Sequence, residues 1–98
     1  MDVVFGDADL DRLYYDSAFT GGMAAAIVRA YRKVVGAIVQ AVDERDLRGT
    51  RSFHFEKLKG DRAHQHSLRL NDQFRLIVEL QGQSAKKRVV IVAIEDYH

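Results

Sequence analysis

Leu68, Arg69 and Leu70 precede Asn71-Asp72-Gln73, and Phe74, Arg75 and Leu76 follow it. Strand side chains alternate between faces, so the length of the intervening loop decides which residues share a face. With three residues in the loop, Leu70 opposes Phe74 and Leu68 opposes Leu76 on one face, while Arg69 opposes Arg75 on the other. A two-residue loop would pair Arg69 with Phe74 and mix the faces. The pattern therefore predicts a hairpin over 65–70 and 74–80, apolar on one side and doubly cationic on the other. Like charges directly opposite one another are unfavourable. Two arrangements remove the conflict: an anion held between the guanidinium groups, or carboxylate partners such as Glu79 or Asp96. On the repulsion alone, replacing Arg75 is expected to leave folding unchanged or slightly improved.

A second pattern covers about residues 23–46. Ile27, Tyr31, Val34, Val35, Ile38 and Val42 recur at helical spacing, and Arg29, Arg32, Lys33 and Gln40 mostly avoid their stripe. This predicts one long helix with the stripe buried against Leu68, Leu76, Val78 and the last strand. Gly36 weakens such a helix by about 1 kcal/mol relative to Ala, which suggests that another element approaches closely there. Upstream, Val3-Val4-Phe5 reads as a short strand stopped by Gly6. Asp7 reads as the cap of a helix over about 7–15, with Asp9 and Asp11 in the first turn, where the helix dipole favours them. Downstream, Ser52 to Leu58 reads as a strand and Gly82 to Lys87 as a polar turn. Arg88 to Ile94 reads as the strand that closes the sheet, its apolar run pointing to burial on both faces. The expected order is β-α-α-β-β-β-β. It describes one α+β domain over 1–98, with two N-terminal helices packed on an antiparallel-dominated β-sheet.

The chain contains no cysteine, which excludes a disulfide framework, a thiolate metal site and a cysteine nucleophile. That suits a reducing, cytoplasmic setting. No apolar run approaches the roughly 20 residues of a membrane span, and the acidic N-terminus is unlike a signal peptide. Net charge is only +1, but it is unevenly spread. Residues 1–44 carry four Lys/Arg against seven Asp/Glu, whereas residues 45–98 carry eleven against seven. The second half is thus the one suited to approach phosphate.

Candidate chemistry gathers in that half. Lys59-Gly60-Asp61-Arg62 is a tight basic turn in which glycine permits close backbone approach and Lys59 and Arg62 can hold a phosphate; a charged surface turn is the plainer reading. His98 follows an apolar strand and carries its own α-carboxylate, which favours the imidazolium. Histidine titrates near neutral pH and suits general acid–base work. Tyr97 offers a ring that can stack on a base. His54, His64 and His66 lack metal-ligand spacing, although His64 and His66 can share a strand face. No metal or cofactor is expected.

Together these segments resemble the HigB branch of the RelE/ParE toxin superfamily. The resemblance rests on Phe53 to Arg62 (FHFEKLKGDR), Ser67 to Leu76 (SLRLNDQFRL) and Glu95 to His98 (EDYH). Val3 to Phe5, Leu10, Leu13-Tyr14 and Asp43 to Leu47 also match, so the likeness covers nearly the whole chain. It implies a toxin of a type II toxin–antitoxin system that cleaves mRNA in the ribosomal A site, without a metal, by attack of a 2′-hydroxyl on the neighbouring phosphodiester. It places functional residues at Lys59, Arg69, Arg75, Tyr97 and His98; from the basic turn itself, Arg62 is expected to join Tyr97 as an RNA contact. Its implied partners are the ribosome, mRNA and a helix-turn-helix antitoxin of the HigA type. Arg69 and Arg75 suit the developing phosphorane charge; His98 and Lys59 are the proton-transfer candidates, with base and acid unassigned between them. Two rivals remain: a ParE-like toxin that poisons gyrase by binding, and a non-catalytic module whose basic sheet docks an acidic partner.

Overall fold

A computed structural model describes residues 1–82 and 87–97. Its centre is the hairpin, formed by antiparallel β3 (Gln65–Arg69) and β4 (Phe74–Gln81). Leu68 faces Leu76 and Arg69 faces Arg75, the register that the alternation requires. The loop's own N–H groups are satisfied from within it: Asn71 Oδ1 accepts from the N–H groups of Gln73 and Phe74 at 2.8 and 2.7 Å. An asparagine that satisfies its own loop backbone in this way stabilises the three-residue gap on which the register depends.

β1 is Asp2–Phe5, and the position after it requires glycine for a steric reason, since a Cβ at Gly6 would lie 2.7 Å from the Ile91 carbonyl oxygen. The Gly6 N–H donates to that same oxygen at 2.8 Å. Asp7 then caps α1 (Ala8–Tyr15), accepting from Leu10 N–H at 2.8 Å. β1 runs parallel to β5 (Arg88–Asp96), and β5 runs antiparallel to β4. With the two-residue β2 (Glu56–Lys57) on the far side, the order is β1-β5-β4-β3-β2. β5 is therefore an inner strand rather than the closing edge. Val89 and Ile91 are buried while Val90 and Val92 are half-buried; burial is complete on one face only.

That face lies under α1 and α2 (Ala25–Gln40). Val28, Tyr31, Val34, Val35 and Ile38 pack with Leu68, Leu76, Val78, Val89 and Ile91 in one core, and Ile27 is buried as well. The buried Tyr31 hydroxyl donates to Leu10 O at 2.7 Å, which ties the two helices together and leaves no unpaired polar group there. Gly36 needs no glycine: a Cβ would meet only the Tyr14 hydroxyl at 3.7 Å, an ordinary contact.

The long helical pattern is divided. α2 stops at Gln40, and a third helix, α3 (Glu44–Gly49), follows. The Met1 ammonium donates to the carbonyls of Ile38 and Val39 at 3.2 and 3.1 Å, placing positive charge where the helix dipole is negative. Asp43 caps α3 by accepting from Arg45 N–H at 2.9 Å, and Asp46 accepts from Val42 N–H at 2.8 Å. Val42 thus sits in the link between helices, 84% exposed, and Ala41 takes its place in the core. The strand expected over 52–58 shrinks to β2. Arg51–Phe53 forms a 3-10 turn, and His54 adopts a left-handed φ of 46°, which interrupts an extended chain. Of the expected turn at 82–87, residues 83–86 lie outside the described residues.

Candidate active site

The sheet face away from the helices carries the side chains out of phase with Leu68 and Leu76. These are Ser67 and Arg69 on β3, Arg75 and Ile77 on β4, and Ala93 and Glu95 on β5. The turn Gly60–Arg62 stands beside this face, with Gly60 at a φ of 65° that strains any other residue. From that turn Arg62 reaches across the sheet to Glu95. Its Nη1 and Nη2 donate to the two carboxylate oxygens at 2.9 and 2.7 Å, and its Nε donates to Gln65 Oε1 at 3.0 Å.

A cleft of about 230 Å³ opens here, lined by the buried Ser67 and Ile77, the half-buried Leu58, and four charged groups with one ring. The charges are Arg62, Arg75, Glu95 and Asp96, and the ring is Tyr97. Arg75 is fixed from two sides. Its Nη1 donates to the carbonyls of Asn71 and Phe74 at 2.9 and 3.4 Å, and its guanidinium lies 4.1 Å from the centre of the Tyr97 ring. Tyr97 is itself placed by donation of its N–H to Gln73 O at 2.6 Å. Among the described residues Arg75 makes no ion pair; the partners that hold its guanidinium are backbone carbonyls and the ring face.

Arg69 behaves differently. Its Nε donates to the same Asn71 carbonyl at 3.3 Å, and its Nη2 bonds Asp72. The two arginines converge on Asn71 O, as their register demands, yet only Arg75 lines the cleft. The carboxylate that relieves their repulsion is Asp72; Glu79 accepts instead from Gln65, and Asp96 accepts from Gln73. Lys59 is exposed at the start of the basic turn, where its carbonyl accepts from Arg62 N–H at 3.3 Å, and it is not among the cleft-lining residues. His98 lies outside the described residues.

The other histidines are elsewhere. His54 and His64 are exposed, and His64 precedes β3 instead of sharing a strand face with His66. His66 points to the helix side, stacked on Phe55 with ring centres 4.8 Å apart and Nδ1 buried without a partner. Burial, followed by the nearby Arg48 charge, lowers its pKa below the usual histidine value. Among the described residues no group of three or more His, Asp or Glu is arranged to hold a metal ion. A second cavity of about 240 Å³ lies between α1 and β5, but Asp7 and Asp9 line it without a cation, which disfavours phosphate there.

Sequence reasoning missed Glu95 and Asn71 as parts of this site. Parity from Arg75 across β4 and β5 identifies Glu95 once the register of β5 is known, since the two residues are Cα partners.

Residues 3–98 match the family model of HigB-like toxins, described as RelE-like toxins of the type II toxin–antitoxin system HigB. The chain belongs to that HigB-like toxin family. Among solved structures it resembles a YoeB/ParE toxin from Agrobacterium tumefaciens, with a TM-score of 0.63 and 19% identity over 100% of both chains. That likeness speaks for the fold, the RelE-like α+β arrangement. No curated protein matches the sequence. Membership of a type II toxin family implies an antitoxin partner. No helix among the described residues is long and apolar enough to cross a membrane.

Proposed function

We propose that this HigB-like toxin is a cytoplasmic, metal-independent endoribonuclease that cleaves mRNA in the ribosomal A site. In the reaction the 2′-hydroxyl attacks the adjacent phosphorus, a 2′,3′-cyclic phosphate forms, and the 5′-oxygen of the next nucleotide leaves with a proton. Such a step needs a base, cations for the pentacovalent phosphorus, and an acid. The observation that carries the reading is Arg75: a guanidinium fixed by two backbone carbonyls and a tyrosine ring, without an ion pair among the described residues, in a cleft. It supplies charge to the non-bridging oxygens. Arg69 supports it through the shared Asn71 carbonyl. Tyr97 stacks on a base, and Arg62 contacts a neighbouring phosphate. His98 and Lys59 divide the proton transfers. The cognate antitoxin is a HigA-type helix-turn-helix protein.

The test is expression without the antitoxin. Growth should stop, translated mRNA should show cuts within the A-site codon, and co-expression of the antitoxin should restore growth. Arrest with intact mRNA and inhibited gyrase would replace the nuclease with the gyrase-poisoning alternative. Normal growth in the presence of folded protein would remove the toxin activity altogether.

A further inference from the structure

The cleft has an internal opposition of charge. It is lined by two guanidinium groups and two carboxylates, a poor composition for a surface that simply attracts RNA. The Arg62–Glu95 pair concentrates that opposition. Both carboxylate oxygens of Glu95 receive hydrogen bonds from Arg62, at 2.9 and 2.7 Å, in the two-pronged manner by which arginine also binds a phosphodiester. Glu95 thus occupies the donors that a phosphate would need. Its position is set by β5, where it is the Cα partner of Arg75. The pair is partly open to solvent, with side-chain exposures of 45% and 40%, so an incoming anion can reach it.

We propose that Arg62 is a phosphodiester subsite whose donors Glu95 occupies in the free protein, and that Glu95 thereby selects against RNA that is not presented to the cleft. When a backbone phosphate engages Arg62, the Glu95 carboxylate is displaced beside the remaining charges of the cleft. Free single strands then meet a site that must first exchange one anion for another. RNA held in place by a larger assembly has already lost its translational freedom and makes the exchange readily. This inference rests on the nuclease reading of the cleft and names the residue that limits binding there.

The experiment uses the purified chain, no ribosome, and a fluorescent single-stranded oligonucleotide whose 2′-hydroxyls are replaced by hydrogen, so that binding is read without cleavage. Glu95→Gln keeps the shape of the side chain and removes its charge. It should bind about 3- to 10-fold more tightly than the wild type, the range expected for releasing an exposed ion pair and a repulsive charge. Its log K against log salt should steepen by about 0.7, the share of one additional phosphate neutralised on a single strand. Arg62→Gln should weaken binding, and Arg62→Gln/Glu95→Gln should lose most of the gain. An affinity for Glu95→Gln equal to or below the wild type, or a gain that survives without Arg62, overturns the proposal. Arg75→Ala serves as the control for the cleft itself: if it binds as well as the wild type, the nuclease site is misplaced, whatever Glu95→Gln does.

Discussion

On the proposed nuclease reading, Arg75→Ala separates catalysis from folding, because the two effects differ greatly in size. The substitution removes a hydrogen bond of 2.9 Å to Asn71 O, a longer one of 3.4 Å to Phe74 O, and a cation 4.1 Å from the Tyr97 ring centre. A partly exposed cation–π contact is worth about 0.5–1 kcal/mol, and a hydrogen bond nets about 0.5–1.5 kcal/mol. Relief of the opposition to Arg69 returns at most a few tenths of a kcal/mol, because Asp72 already offsets that charge. The balance is a destabilisation of about 1 kcal/mol, or roughly 4–8 °C in Tm for a chain of this size. That reverses the expectation from like-charge repulsion alone, which counted the opposing arginine but not the carbonyls and the ring. Cleavage should fall far further, by about 10²- to 10³-fold, the range for losing a group that stabilises developing charge. Arg75→Lys should recover only part of this, since an ammonium does not reproduce the planar two-pronged contact. Thermal unfolding and A-site cleavage should be measured on the same preparations. Cleavage within a few-fold of wild type removes Arg75 from the chemistry. Unfolding at the assay temperature makes its role structural.

Three further outcomes test the scaffold. Gly36→Ala should raise stability by about 1 kcal/mol, because the added methyl meets only the Tyr14 hydroxyl at 3.7 Å; thermal unfolding reads it, and a loss would mean the helix packs more closely there. Tyr31→Phe should destabilise by about 1–2 kcal/mol, since the Leu10 carbonyl loses its buried donor at 2.7 Å; an unchanged denaturation midpoint would contradict this. For His66 the native pKa lies below the unfolded value near 6.5, so the unfolded chain binds a proton first as pH falls. Its contribution is intact above that value and is lost as pH drops through the lower native pKa. Chemical denaturation between pH 8 and pH 5 should therefore show a steeper decline for the wild type than for His66→Phe, and parallel curves would refute the assignment.

What could be read from the chain follows how local the determining forces are. The hairpin register was legible because Leu68, Leu70, Phe74 and Leu76 alternate around a short loop whose Gln73 and Phe74 N–H groups bond the Asn71 side chain within it. The end of α2 was not, because Val42 lies four residues after Ile38 and continues the apolar stripe. What ends the helix is partly tertiary, the Met1 ammonium on the Ile38 and Val39 carbonyls, and partly the Asp43 cap of the next helix. The parallel pairing of β1 with β5 leaves no local mark in either strand. The arginine pair of the site was visible through parity. The Arg62–Glu95 contact was not, because it joins positions 33 residues apart across the sheet.

The inner position of β5 sets an order of events during synthesis. Its neighbours β1 and β4 both precede it in the chain, so β1 has no strand beside it and β4 leaves one edge unpaired until Arg88–Asp96 has been made. Pairing Asp2 with Arg88 closes a very long loop, and contacts of that kind form late and slowly. Glu95 and Asp96 arrive on this strand and Tyr97 directly follows it, so a nascent chain that stops short of them lacks three of the residues that line the cleft. On the proposed nuclease reading, the toxin therefore has no working cleft until Arg88–Asp96 has been made and paired between β1 and β4.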